Sequence, residues 1–310
     1  MGFLYFLESI RTPVGDAFFS LITHLGEETL FILAGLFFFW CVNKMEGYYL
    51  LSVGLMGTVI NQILKVTFRV ARPWVKDPNF TIVESARAEA TGWSFPSGHI
   101  QTSVGIFASV ARWHRQKWIR ILCILLCVLV PLSRLYLGVH TPADVGVSLL
   151  VALVLVFAVY PIVRKGEEKP AGMRILMAVM TLISVAFLFY LYRGSFLVID
   201  SEGLSNLTHA VKNAHTMLGC ILGLWFTFEI ERRFIRFDTK AVWWAQLLKL
   251  ALGFGLLLAI KAGAKAPLHA LFASTHVADG VRYFLMTAFA GCVWPLTFRH
   301  FDRLGAKFSK

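Results

Sequence analysis

The sequence predicts an all-α membrane protein, a bundle of transmembrane helices with a short surface segment at its start. The chain has 310 residues, of which 57% are hydrophobic and only 15% are charged. Mostly apolar stretches recur along its whole length, and they approach the roughly 20 residues that a helix needs to cross a bilayer core. A soluble domain of this size is not so apolar, so an integral membrane protein is predicted.

Nine stretches are predicted to span the membrane. They lie at about residues 29–43, 48–68, 98–112, 120–138, 143–163, 174–192, 214–230, 241–262 and 281–297. The third stretch is short and contains Ser and Thr. Their number predicts a polytopic bundle rather than a protein with a single anchor.

Residues 1–26 differ from the spans. They mix Phe and Leu with four charged or titratable side chains, which are Glu8, Arg11, Asp16 and His24. Pro13 interrupts the segment, because proline disrupts a helix interior. This pattern is typical of an amphipathic segment that lies on the membrane surface.

The net charge of +12 is explained by where the basic residues lie. If the spans alternate in direction, more than half of the 30 Lys and Arg residues fall on short loops of one side. Such an excess marks the cytoplasmic side, which then also holds the C-terminus. The charge therefore predicts an orientation in the cell membrane, with the phospholipid bilayer and not nucleic acid as the partner.

The five cysteines all fall within predicted spans, where they act as small apolar residues rather than as disulfides or metal ligands. The chain divides into two predicted parts. Residues 1–165 contain every motif to which chemistry can be assigned, with the surface segment 1–26 at their start. Residues 166–310 add four spans of unknown role.

The first motif is Lys65, six intervening residues, and then Arg72-Pro73. Pro73 biases Arg72 away from a helical conformation, so the second span is predicted to end there. Both cations would then border one cavity on the outer side of the membrane. The alternative is that they only extend from the membrane edge towards water.

The second motif is Pro96-Ser97-Gly98-His99, at the start of the third span. Ser94 or Ser97 could cap this helix, and Gly98 would let a ligand approach the backbone closely. Free amide hydrogens and the positive end of the helix dipole favour an anion here, above all phosphate. The alternative is an ordinary capped helix with an incidental histidine.

The third motif is Ser133-Arg134, followed by His140 and then by Asp144 four residues later. The four-residue spacing lets the carboxylate reach one imidazole nitrogen, which leaves the other nitrogen free to attack. The alternative is an ordinary hydrogen bond at the start of a helix. Together, however, the motifs supply three cations, backbone donors, a nucleophile and an acid, which phosphoryl transfer requires.

These three patterns resemble, at every position, the signature motifs of the type 2 phosphatidic acid phosphatase superfamily, which includes haloperoxidases and glucose-6-phosphatases. The resemblance covers about residues 60–150. It implies a helical core in which His140 forms a phosphohistidine, Asp144 orients it and His99 protonates the leaving alkoxide. It also implies a phosphate site without a metal or other cofactor, formed by Lys65, Arg72, Ser97, Gly98 and Arg134.

The expected function is therefore removal of phosphate from a membrane lipid, either phosphatidic acid or a related phosphomonoester, or a polyprenyl pyrophosphate, at the outer face of the cell membrane. A sugar-phosphate phosphatase is one alternative, because it too would have an outward site among many spans. A lipid transporter that carries a phosphatase core is another, with Lys249 and Lys261 marking a polar path. A vanadate haloperoxidase is disfavoured, because such enzymes are soluble.

Overall fold

The computed structural model describes residues 1–194, 196 and 201–301. Every regular element in these ranges is a helix and none is a β-strand, which confirms the all-α prediction. The N-terminal segment forms α1 (Gly2–Ser9) and α2 (Pro13–Thr23). Pro13 is the first residue of α2, where the missing N–H carries no cost, so the predicted interruption separates two helices.

One side of this N-terminal segment is packed and another is exposed. Leu4 is buried in a cluster with Phe80 and Leu137, whereas Phe6 and Val14 are exposed. The exposed apolar side chains suit a membrane surface, and the interfacial position stays a prediction.

The other α-helices follow in chain order. They are α3 (Glu28–Phe37), α4 (Lys44–Phe68), α5 (Pro73–Lys76), α6 (Gly98–Trp113), α7 (Lys117–Tyr136), α8 (Pro142–Arg164), α9 (Pro170–Arg193), α10 (Ser201–Ile230), α11 (Trp243–Gly263), α12 (Lys265–Leu271) and α13 (Thr275–Ala288). Short π-helical turns extend α3, α10 and α13, at Phe38–Val42, Glu231–Ile235 and Phe289–Val293.

Among the described residues, six helical stretches are long and apolar enough to cross a membrane. They are Lys44–Lys76, Lys117–Tyr136, Pro142–Arg164, Pro170–Arg193, Trp243–Leu271 and Thr275–Phe301. A seventh is possible if Pro13–Gly26 and Glu28–Val42, which meet at a bend of 51°, form one broken span.

The predicted number of nine spans is therefore not confirmed. The predicted span at 98–112 is the helix α6, which has 16 residues and is too short for a full crossing. The predicted span at 214–230 is the second half of α10, a 30-residue helix. Because α10 contains many polar and charged side chains, it is not among the six stretches that are apolar enough to cross a membrane.

The contacts divide the chain into two compact units. The first comprises Met1–Phe31, Met56–Tyr160 and Leu197–Ala210, and the second comprises Ile32–Leu55, Pro161–Phe196 and Val211–Lys310. Each unit consists of three separate segments of the sequence. The units therefore do not correspond to the predicted functional division at residue 165, which stays a prediction. All three motifs lie in the first unit.

Within the first unit, the motifs lie at helix ends. Lys65 is in the last turn of α4, and Arg134 is in the last turn of α7. Gly98 is the first residue of α6, and Asp144 is in the first turn of α8. A helix start presents amide hydrogens without a partner in the helix, so the start of α6 can provide the donors that an anion site needs. At the start of α8, the Asp144 amide donates to Thr141 Oγ1 instead.

Candidate active site

The third motif builds a buried imidazole–carboxylate pair. Pro142 begins α8, and the side chains of His140 and Asp144 are 2% and 1% exposed. His140 Nδ1 lies 3.4 Å from Asp144 Oδ2. The same oxygen accepts hydrogen bonds from Ser94 Oγ at 2.6 Å and from the Thr141 amide at 2.8 Å. The carboxylate is thus held in place, and it orients the Nδ1 side of the ring.

The other ring nitrogen of His140 faces a cation. Arg72 Nη1 lies 3.0 Å from His140 Nε2. Burial lowers the pKa of His140 well below its ordinary value, because it disfavours the charged imidazolium, and the positive charge of Arg72 lowers it further. The hydrogen bond to Asp144 opposes this shift. His140 is therefore neutral near pH 7, the state in which an imidazole nitrogen attacks.

Arg72 is fixed by the backbone around it. It is extended, as Pro73 led us to predict, and it precedes α5. Its guanidinium donates to the carbonyl oxygens of Thr91, Gly92 and Val139 at 2.7–3.0 Å. Attachment at this many points fixes the charge of Arg72 beside His140 Nε2.

Lys65 lies on the same side of the site as Arg72. Its ammonium group donates to the carbonyl oxygen of Trp93. The helix α4 ends at Phe68, and Arg69 takes a left-handed conformation with φ of 48°, so the chain turns away before Arg72. The two cations therefore meet through this turn and not along one helical face.

Arg134 has free donors in a buried position. Its side chain is fully buried, and Nη1 donates to Thr23 Oγ1 at 2.6 Å. Within the described part of the chain, Nε and Nη2 have no hydrogen-bond partner. Buried donors are rarely left unpaired, so the N–H groups of Nε and Nη2 are available to an anionic ligand.

The second motif adds a hydroxyl and an open helix start. Ser97 precedes α6, but its side chain makes no cap bond; its buried Oγ has no partner among the described residues. Ser94 donates to Asp144 instead. The expectation that one of these serines caps α6 is therefore wrong, because the carboxylate takes Ser94 and Ser97 Oγ is left for a ligand.

Gly98 faces open space: apart from its chain neighbours and the backbone of its own helix, no atom of the described residues lies within 4 Å of where a Cβ would stand. We expect Gly98→Ala to keep or slightly raise the melting temperature, because Ala favours a helix by up to about 1 kcal/mol over Gly. The methyl group should occupy the ligand's space and lower kcat/KM by roughly 10-fold or more. Phosphate release and thermal unfolding measure the two effects.

Gly146→Ala is the matched control for this substitution. Gly146 lies in α8 of the same unit, and its Cβ position is equally unobstructed. It should leave turnover unchanged. Full activity in the Gly98→Ala protein would show that no ligand group approaches this position.

His99 is held at the edge of the site. Burial, together with the positive charges of Arg134, Arg72 and Lys65, lowers the pKa of His99 to about 3. Gly26 packs tightly against it, since a Cβ on Gly26 would come within 2.9 Å of His99 Cβ. His99 Nε2 also lies 3.3 Å from Glu89 Oε2. The ring is thus positioned between a group of cations and a carboxylate.

Glu89 belongs to a small cluster next to His99. Its Oε1 lies 3.5 Å from His24 Nδ1, and the same nitrogen contacts Glu27 Oε1. Ligand atoms of His24, Glu27 and Glu89 all lie within 4.8 Å of one another, so these three residues could hold a metal ion. We name them the acidic cluster.

The structure thus brings the eight predicted site residues into the first unit, and contacts tie them to residues that sequence reasoning missed. Glu89 and Thr23 were not singled out, and Ser94 was assigned a different role. Only Ser94 had a signal in the sequence, as a polar residue just before the second motif.

Comparison with known proteins supports the three motifs. A family model described as the PAP2 superfamily matches residues 46–168, which include all of them. A second model, described as the transmembrane extension of PAP2 superfamily phosphatases, matches residues 215–307. Together the two matches cover more than half of the chain.

The chain belongs to the PAP2 superfamily.

The second match also gives the later spans a counterpart within the PAP2 superfamily.

Curated relatives share parts of the sequence. The chain is similar to a probable sphingosine-1-phosphate phosphatase of Dictyostelium discoideum, 31% identical over 49% of this chain and 39% of the relative. It is 29% identical to phosphatidylglycerophosphatase B of Bacillus subtilis, over 48% of this chain and 76% of the relative. It is 34% identical to undecaprenyl-diphosphatase BcrC of the same organism, over 34% of this chain and 51% of the relative. The chain therefore spans only part of each relative's length. No solved structure matches it.

Proposed function

We propose that this protein is a metal-independent phosphatase of a membrane lipid, acting on a phosphomonoester or a pyrophosphate through a phosphohistidine at His140. The observation that carries the proposal is the buried imidazole between Asp144 Oδ2, 3.4 Å from Nδ1, and Arg72 Nη1, 3.0 Å from Nε2. A neutral histidine with one nitrogen oriented and the other beside a phosphate-binding cation is suited to nucleophilic attack.

The proposed reaction has two steps. Once the anionic phosphate of the substrate offsets the surrounding cations, His99 binds a proton. Nε2 of His140 then attacks phosphorus, the bond to the leaving oxygen breaks, and His99 gives that oxygen its proton. Water then attacks the phosphohistidine, His99 takes a proton from the water, and the P–N bond breaks to release inorganic phosphate. Arg72, Arg134 and Lys65 neutralise the oxygens of the transferred group in both steps, together with Ser97 Oγ and the amide of Gly98.

A lipid substrate is preferred because of where the site lies. It is built at the ends of α4, α7 and α8, which belong to stretches long and apolar enough to cross a membrane. A lipid anchored in the bilayer brings its headgroup to that level without leaving the membrane. The relatives are also named for lipid phosphates or a polyprenyl diphosphate.

We place the protein in the cell membrane, with the site on the outer face and the C-terminus in the cytoplasm. Its basic loops support this orientation.

The alternatives have less support. A sugar-phosphate phosphatase would use the same machinery, and only a substrate comparison separates it from a lipid phosphatase. For a transporter, Lys249 would have to mark a polar path. Its buried ammonium instead donates to the Trp40 carbonyl at 2.7 Å and lies 4.4 Å from the centre of the Phe298 ring. These contacts favour a structural role within the second unit.

We expect full phosphatase activity in excess EDTA, because the cations of the site are side chains. Vanadate should inhibit, as a mimic of the five-coordinate transferring phosphoryl group. Inorganic phosphate release in detergent measures both effects. A strict requirement for Mg²⁺ would contradict the proposed site.

The same assay tests the substrate class. The panel is phosphatidic acid, lysophosphatidic acid, phosphatidylglycerophosphate, undecaprenyl pyrophosphate, sphingosine 1-phosphate and glucose 6-phosphate. A lipid phosphatase should turn over one or more of the lipids with a kcat/KM well above that for glucose 6-phosphate. The reverse order would favour the sugar-phosphate alternative.

A further inference from the structure

The acidic cluster stands where the leaving group of the substrate should lie. In-line displacement places the attacking nitrogen and the leaving oxygen on opposite sides of phosphorus. In the proposed reaction His99 serves the leaving oxygen, so the groups in contact with the His99 ring surround the leaving group. The closest charged one is the Glu89 carboxylate, at 3.3 Å from Nε2.

The position of the phosphate itself is marked independently. Ser97 Oγ and the Nε and Nη2 groups of Arg134 are buried and have no partner among the described residues. Arg134 donates its remaining group, Nη1, to Thr23, which directly precedes His24 of the acidic cluster. The phosphate donors and the acidic cluster are therefore neighbouring parts of one site.

The two sides of this site have opposite charge. The phosphate side presents Lys65, Arg72 and Arg134, which match the dianionic phosphate. The leaving-group side presents Glu27 and Glu89, whose side chains are 36% and 31% exposed and so remain within reach of a ligand. Carboxylates there repel a leaving group that carries a second anion and attract one that carries a cation.

An ammonium group fits these acceptors. Ionised carboxylates only accept hydrogen bonds, and an ammonium has three N–H donors. In the phosphate of a 2-amino alcohol, the ammonium sits on the carbon next to the one that bears the leaving oxygen. When His99 protonates that oxygen, the ammonium lies within reach of the carboxylate that contacts the same imidazole.

We infer that Glu89 and Glu27 form a cation subsite for the leaving group, so that the preferred substrates are long-chain phosphates of 2-amino alcohols, the chemical class of sphingosine 1-phosphate. This inference rests on the proposed function and adds a substrate class to it. Glu89 touches the ammonium and the acid His99, and Glu27 contributes the second carboxylate.

The test compares two substrates that differ in charge at one nitrogen. Sphingosine 1-phosphate carries the ammonium, and N-acetylsphingosine 1-phosphate has the same chain with a neutral amide. Both are assayed in mixed micelles with excess EDTA, so that no metal occupies the acidic cluster. The wild-type protein should show a kcat/KM about 10-fold higher for the amine, as a hydrogen-bonded charge pair in a partly exposed site provides.

Glu89→Gln and Glu27→Gln should each lower kcat/KM for the amine by several-fold, up to about 10-fold, and leave that for the amide nearly unchanged. Glu84→Gln is the matched control. Glu84 lies in the same loop, is exposed, and pairs only with Arg87 among the described residues, so its replacement should change neither value. Lysophosphatidic acid, which also lacks the amine, should behave like the amide.

Other outcomes would overturn the inference. An equal loss on both substrates in Glu89→Gln and Glu27→Gln would mean that the carboxylates only position His99. If both variants kept the preference for the amine, the ammonium would bind elsewhere in the protein. If the preference appeared only with added Zn²⁺, the acidic cluster would be a metal site. Failure of the proposed function looks different. In that case the wild-type protein and the His140→Ala protein would show the same turnover on every lipid tested.

Discussion

Replacing His140 with Ala should lower kcat by about 10⁴-fold or more, because the variant has no nucleophile and the reaction loses its covalent route. Binding should suffer less. Arg72 keeps its three carbonyl acceptors, and Arg134 keeps Thr23, so the cations stay in place without the imidazole. Inorganic phosphate release and equilibrium binding of the lipid substrate measure the two effects.

The covalent step has its own signature. Wild-type protein mixed with lipid labelled by ³²P in the phosphate and quenched within milliseconds should carry label that is stable in base and released in acid, as a phosphoramidate is. His140→Ala should carry none. His300→Ala is the control, because His300 is an exposed histidine of the second unit. Its labelling and turnover should equal those of the wild type.

Two results would count against this mechanism. Turnover of the His140→Ala protein close to that of the wild type would exclude His140 as nucleophile. Base-stable label that persists in His140→Ala would transfer the covalent role to another residue.

The contact between His140 and Asp144 could be predicted because its geometry is local. His140 and Asp144 are four residues apart at the start of a helix, and that spacing alone brings a carboxylate near an imidazole. The start of α6 was predicted on similar grounds, since any helix start presents free amides. Arg72 was predicted to be non-helical from the proline that follows it. In each case the deciding interaction lies within a few residues along the chain.

The missed residues make contacts between distant parts of the chain. Ser94 reaches Asp144 across 50 residues, and Thr23 reaches Arg134 across 111. Glu89 is only ten residues from His99, but the loop between them has no periodicity from which a contact could be derived. The serine also shows how a local rule fails. A serine shortly before a helix is a candidate cap, but the Ser94 hydroxyl donates to the Asp144 carboxylate, and Ser97 at the N-cap position makes no cap bond.

The number of spans was predicted less well than the local contacts of the three motifs. Composition identifies apolar stretches, but it does not show where each helix begins and ends. The length and the mean hydropathy of the helix itself are therefore not known from the sequence. α6 has 16 residues and contains Ser and Thr, so it is too short for a full crossing although much of it is apolar. The polar first half of α10 similarly merges a predicted loop with a predicted span into one helix.

His99→Ala should lower kcat/KM for a lipid phosphate by about 10²–10⁴-fold, the usual contribution of a general acid. A lipid alkoxide is a poor leaving group, and without a proton it departs slowly. p-Nitrophenyl phosphate provides the contrast, because nitrophenolate leaves without protonation. On this substrate the first chemical step should be nearly as fast in the variant as in the wild type.

The second step should then become visible. His99 also takes the proton from the attacking water, so its loss should slow hydrolysis of the phosphohistidine whatever the leaving group was. We therefore expect His99→Ala to release nitrophenolate in a burst of about one equivalent per site, followed by slow turnover, in stopped-flow absorbance. An equal loss on both substrates with no burst would contradict the acid–base role. Such a result would leave His99 as a residue that only shapes the phosphate site.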